Sequence, residues 1–138
     1  MNRFKKLGLA AAATAGLALA LATPASADAG RVVNDYCHTG DFCAFYLPNY
    51  QYTSGNQAIA WAGDNWDWQY ATQGKWGTID NNSESWYNAG APDTYDKVKV
   101  YEFAGGKNLL FCLPRNSGIA RNANVANIAS SHVWVSSC

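Results

Sequence analysis

After its first 27 residues the chain has no run of apolar residues at helical spacing. Its apolar stretches are short, rich in aromatics and valine, and broken by Gly, Asn, Asp and Pro, which excludes a fold built on long helices. Charge is also scarce, at 14% of residues. Three of the ten basic residues (Arg3, Lys5 and Lys6) lie in the first 27 positions and no acidic ones do, so seven Lys/Arg face ten Asp/Glu in the remainder, a formal charge of −3. Scattered, mildly acidic charge offers no platform for nucleic acid or an anionic membrane. Histidine is limited to His38 and His132, and neither a G-x-S-x-G elbow nor an H-E-x-x-H helix occurs. Ser131 adjoins His132, but neighbours on a strand point to opposite faces, out of nucleophile–base reach. The chain reads as a non-enzyme. The paired C-x-x-C spacing of zinc sites is likewise missing.

The N-terminus carries the clearest address. Positive residues precede an apolar run over 7–22, Pro24 breaks it, and Ala25-Ser26-Ala27 forms a small-x-small cleavage site. This is the pattern of a secretory signal, and the run is short for a membrane span. Removal of residues 1–27 leaves a single domain over 28–138, expected to be secreted and extracellular. All four cysteines, Cys37, Cys43, Cys112 and Cys138, lie in that part. An even count in an exported chain implies two disulfides, with three connectivities open. Pairing within halves, Cys37 with Cys43 and Cys112 with Cys138, is the preferred one. Chain-entropy reasoning assigns the short loop roughly 2 kcal/mol and the long one roughly 3–4 kcal/mol.

Strands are expected over 42–47, 57–62, 85–88, 96–103, 108–113 and 132–136, a spacing that suggests a sandwich or barrel. In the fourth, Val98 and Val100 share the apolar face with Tyr101 or Phe103, while Lys97, Lys99 and Glu102 face water. The chain also divides into two related halves, joined near 88–95 by a turn-rich connector, Asn88 to Thr94. Each half has an aromatic strand, a turn (Asn49-Tyr50 or Gly105-Gly106), and an Asn/Ser-rich segment leading to Trp86 or Trp134. The two tryptophans are read as matching core positions.

The segments Asp41-Phe42-Cys43-Ala44-Phe45-Tyr46, Lys99-Val100-Tyr101-Glu102 and Ala129-Ser130-Ser131-His132-Val133-Trp134, in this order, resemble βγ-crystallin Greek-key motifs. With the Cys37 to Cys43 hairpin they resemble the secreted bacterial peptidase-inhibitor family typified by the Streptomyces metalloproteinase inhibitor. The resemblance spans most of 35–138. It implies an all-β, βγ-crystallin-like sandwich of two Greek keys with two disulfides. It also implies a proteinase inhibitor acting by tight binding to an extracellular protease, a metalloprotease among the candidates. The alternative is a non-inhibitory extracellular module for glycan or calcium. Two departures stand out. The first motif has Tyr52, with Gly55 later, near the place where a fold-back glycine is usual, and the stretch between Tyr52 and Gly77 holds Trp61, Trp66, Trp68 and Trp76.

An inhibitory segment has to be held rigidly, because rigidity lowers the ordering cost of binding. One candidate follows Cys112 and Pro114: Arg115, Asn116, Ser117, Gly118, Ile119, Ala120 and Arg121, continuing to Asn124. The connector is the other, and the bland reading of both is plain surface loop. The aromatic group Trp61, Trp66, Trp68 and Trp76 is a candidate contact surface for a protein or for sugar rings, or else a second small core. Asp64 and Asp67 sit among these aromatics as a glycosidase pair would, though Gly63-Asp64-Asn65 reads better as a turn. No cofactor is required. Calcium enters through Asn81, Asn82 and Ser85, which match in part the oxygen-ligand segment of calcium-binding βγ-crystallins, and the 126–131 segment matches it in a different part. Trp86 and Ala126 each occupy a position that the pattern gives to an oxygen ligand, and the plainer reading is that both segments only shape turns.

Overall fold

The computed structural model describes residues 37–53, 58–72 and 77–138. The leader expected over 1–27 lies outside them, as does Trp76. Among the described residues seven strands form: β1 (Phe42–Phe45), β2 (Ile59–Trp61), β3 (Ser85–Asn88), β4 (Lys97–Phe103), β5 (Lys107–Leu113), β6 (Ser117–Ile119) and β7 (Ser131–Val135). They make two antiparallel sheets, ordered β2-β1-β3-β6 and β5-β4-β7, with no α-helix among the described residues.

The sheets differ in how they are covered, and the sequence shows why. In β4, Val98 and Val100 are fully buried while Lys97 and Lys99 are not, the period-2 pattern of a half-buried strand. The same alternation puts Phe103 on the face of Lys97 and Lys99, where it is 53% exposed, and a register shift opposite Val100 and Tyr101 adds one residue, Leu110, to the β5 side of the ladder. Strands β1 and β3 are buried along their whole length. Phe42, Ala44 and Trp86 face the space between the sheets, where they pack with Val98, Val100, Leu113 and Trp68. Cys43, Phe45 and Tyr87 face the other way into a smaller cluster with Cys37, Ala58 and Ala89. Disulfides join Cys37 to Cys43 and Cys112 to Cys138, within halves.

A pseudo-two-fold relation is visible hydrogen bond by hydrogen bond. The Ser85 hydroxyl donates to the Leu47 carbonyl (2.6 Å) and accepts from the Tyr50 N–H (3.0 Å). The Ser131 hydroxyl donates to the Phe103 carbonyl (2.7 Å) and accepts from the Gly106 N–H (3.2 Å). Asn81 N–H donates to Ala129 O (3.0 Å), and Asn127 N–H donates to Ser83 O (2.8 Å). Both asparagines have left-handed backbones, at φ 52° and 60°. These pairs match Ser85 with Ser131, and hence Trp86 with His132. Trp86 is paired across β1 with Ala44 as His132 is paired across β4 with Val100. The expected match of Trp86 to Trp134 is therefore two residues out of step.

The same relation explains the fold-back. Asn49 and Tyr50 stand at φ 58° where the second half has Gly105 and Gly106, at φ 76° and 71°. Tyr50, not Tyr52, occupies the glycine place. A left-handed tyrosine costs on the order of 1 kcal/mol. Its ring is edge-on to Phe45 and Tyr87 at 5.7 and 5.8 Å, packing that offsets the strain.

One expectation is corrected outright. Residues 115–121 are not a continuous loop, because Ser117–Ile119 crosses to the first sheet and pairs with β3. The matching element of the first half is reduced to a single bridge, Asn65 to His132. Gly118 makes the crossing feasible: a Cβ there would sit 2.6 Å from the Trp86 carbonyl oxygen and 2.8 Å from the Tyr87 ring. Gly118→Ala is expected to destabilise the protein by about 3 kcal/mol through this overlap. Gly63→Ala, which meets nothing within 4 Å, is expected to stay within about 0.5 kcal/mol of the parent in urea unfolding.

Candidate functional site

Asn88, the last residue of β3, organises one end of the sandwich. Fully buried, its amide Nδ2 donates to the carbonyls of Asp96 (2.9 Å) and Leu113 (3.0 Å), and its Oδ1 accepts from Gly90 N–H (2.9 Å). Its own carbonyl accepts from Asn116 N–H (2.8 Å). One side chain and one peptide group thus hold both ends of the connector and the start of the 114–116 turn. The disulfide hairpin closes the other flank: Gly40 N–H donates to Ala89 O (2.8 Å) and Ala89 N–H to Asp41 O (2.9 Å). Asp96 bonds Lys97 Nζ (2.7 Å) and lies 3.5 Å from Arg115 Nε. The hydrogen bond from Lys97 holds its carboxyl below the usual range, against the opposing effect of desolvation, and the charges of Lys97 and Arg115 add to the lowering. Between these anchors residues 91–95 are exposed, and Tyr95 is 60% accessible. The result is an exposed segment with a rigid base, the property that lowers the ordering cost of binding.

The two candidate inhibitory segments converge at this end. Arg115 and Asn116 are exposed beside the connector, Ser117 is buried in β6, Gly118, Ile119 and Ala120 are half-buried, and exposed Arg121 lies 3.9 Å from Glu84. The aromatic group does not converge. Trp68 is fully buried and stacks on half-buried Trp61 at 5.0 Å, whereas Trp66 is 52% exposed. Trp68 is part of the main core between the sheets and Trp61 packs against it, so these two form neither a contact surface nor a separate second core, while Trp66 is the exposed member of the described group.

The ligand-like residues of the turn segment have other engagements. Ser85 is buried with its hydroxyl used twice, as above; Asn81 Nδ2 donates to Asp80 Oδ2 and Asn82 Nδ2 to Thr78 O. Among the described residues no three His, Cys, Asp or Glu side chains gather in a way that could hold a metal. Asp64 Oδ1 accepts Trp134 N–H, and Asp67 caps the short 3₁₀ turn Trp68–Tyr70 by accepting Gln69 N–H. Both carboxylates thus serve the backbone.

His132 is a structural histidine. Its Nδ1 accepts from the Trp68 indole N–H (3.0 Å), so Nε2 carries the proton and donates to Gly63 O (2.9 Å). The ring lies among Phe42, Trp61 and Trp68, with centroids 4.7–5.7 Å away. Burial pushes its pKa from 6.5 down to about 4, opposed weakly by the Gly63 carbonyl. Between these values the unfolded chain takes up a proton that the folded chain refuses. Stability is therefore complete above pH 6.5 and falls as the pH drops towards 4, by up to about 3 kcal/mol. Urea titrations at pH 7 and pH 5 are expected to show this loss, and His132→Gln should remove most of the difference.

Comparisons place these features in context. Residues 33–113 match the model of Peptidase inhibitor family I36. No curated protein sequence matches the chain. A solved structure described as "Evolution of the eye lens beta-gamma-crystallin domain fold" superposes with a TM-score of 0.56 at 14% identity, covering 73% of this chain and 90% of its own. The likeness shows a βγ-crystallin-type fold.

Proposed function

The chain belongs to peptidase inhibitor family I36, and we propose on that premise that it is exported and blocks an extracellular protease by tight binding. Residues 91–95 of the connector are the segment presented to the enzyme, and a metalloprotease is the first target class to test, by resemblance to the Streptomyces metalloproteinase inhibitor. The observation that carries this reading is the anchoring of an exposed segment at both ends through Asn88. The span of the family match supports the choice between segments: 33–113 includes the whole connector and ends before Arg115. The Cys37–Cys43 disulfide beside the connector adds rigidity, and export to an oxidising compartment is where such bridges persist. No cofactor is needed for an inhibitor of this kind.

The test is a stoichiometric inhibition panel of the oxidised protein against secreted metallo-, serine and cysteine proteases. Inhibition of a metalloprotease is the expected result; a folded, uncut protein that inhibits none would leave the glycan and calcium readings in its place. Pro92→Gly, an exposed change inside the segment, is expected to weaken inhibition about two- to fivefold by restoring chain entropy, with the unfolding midpoint little changed. Equal inhibition by the variant would place the contact elsewhere.

A further inference from the structure

A cleft of about 560 Å³ opens beside the connector, lined by Gly40 of the disulfide hairpin, Ala62, Gly63 and Asp64, the connector residues Ala91, Asp93 and Tyr95, and Trp134 of β7. Its size falls within the usual range for small-ligand sites. Two of its walls carry carboxylates and none carries a basic group. Asp64 is oriented by its 2.8 Å bond from Trp134 N–H, and Asp93 by the N–H of Thr94 at 2.5 Å. The long-range bond holds Asp64 in place before any ligand arrives, while Asp93, bonded only to its neighbour, sits on the exposed connector. Lys97, the basic residue next along the chain, is already paired with Asp96. Tyr95 and Trp134 add aromatic surface to the same cleft.

We propose that this cleft receives a basic side chain, Lys or Arg, from the protein to which the connector binds. Carboxylates form their strongest hydrogen bonds with cationic donors, and aromatic rings attract the same cations. The cleft is continuous with the connector, so a partner docked on residues 91–95 would bring its own surface across it. The inference rests on the connector reading for its partner, but the chemistry of the cleft can be probed separately.

The probe is N-acetyl-arginine methylamide, with the citrulline analogue as its neutral control, titrated into the disulfide-bonded protein and followed by NMR shifts of the Gly40 and Gly63 amides and the Trp134 indole. The arginine compound is expected to shift these signals saturably, less so at high salt, and the citrulline compound to leave them in place. Asp64→Asn and Asp93→Asn each keep an oxygen to accept the existing backbone bond, so the fold is expected to survive. Together they should weaken the arginine compound about tenfold or more. Equal response to arginine and citrulline, or unchanged binding in the double variant, overturns the proposal, as does saturable binding of a neutral oligosaccharide in place of the cation. Protease inhibition that persists with an unresponsive cleft overturns this proposal alone. A responsive cleft in a protein whose inhibition ignores connector variants supports the site and removes the connector reading.

Discussion

Two buried serine hydroxyls, Ser85 and Ser131, each tie the end of a first strand to the turn that follows it, and the sandwich is arranged around that pair. Each hydroxyl donates to a carbonyl at or just past the strand end and accepts from a left-handed residue three positions later. A buried hydroxyl with either bond missing would cost about 1–3 kcal/mol, so the turn and the strand are coupled strongly. Once both turns fold back, the Asn81 and Asn127 amides meet carbonyls of the opposite half, and the two sheets face one another at fixed separation. Trp86 and His132 occupy equivalent inner positions as a consequence.

That equivalence is also where the halves diverge. Trp86 fills its place with an apolar ring whose indole N–H bonds Ser83 Oγ. His132 fills its place with a smaller polar ring and needs two partners, which Trp68 and Gly63 provide. The excursion after Trp61 thereby gains a purpose: it delivers Trp68 to the histidine, where Trp61 stacks on Trp68 and lies tilted against the imidazole. The second half uses β6 for the equivalent crossing and has no such need. The core is consequently sensitive to acid on one side only.

Rigidity at the connector end has a different origin. Asn88 is a buried amide, and a buried amide is tolerated when its donors and acceptor are all matched. Here they are matched to the connector on both sides and to β5. The same satisfaction that makes the residue compatible with the core leaves residues 91–95 exposed on a fixed base. In the proposed reading, inhibition and fold stability draw on one set of hydrogen bonds, and the cleft beside the connector is bordered by the same segment.

Short apolar runs punctuated by turn residues, with four cysteines behind a leader pattern, pointed to a disulfide-bonded β domain, and the repeated motif pointed to its two halves. These features are local in sequence, and period-2 burial and turn chemistry are local physics. The alternation at Val98 and Val100 and the Gly105-Gly106 turn were legible for that reason. What the tertiary structure alone decided are the pairings between distant segments. β6 is three residues long and contains a glycine, so its strand character comes from β3, not from its own propensity. Trp68 is buried because His132, 64 residues away, offers an acceptor. The two-residue offset between Trp86 and Trp134 follows from which serine binds which carbonyl. Asn88 became an anchor only when Asp96, Leu113 and Gly90 were brought around it, since a lone Asn in a turn-rich stretch looks like every other turn residue until its partners are in place.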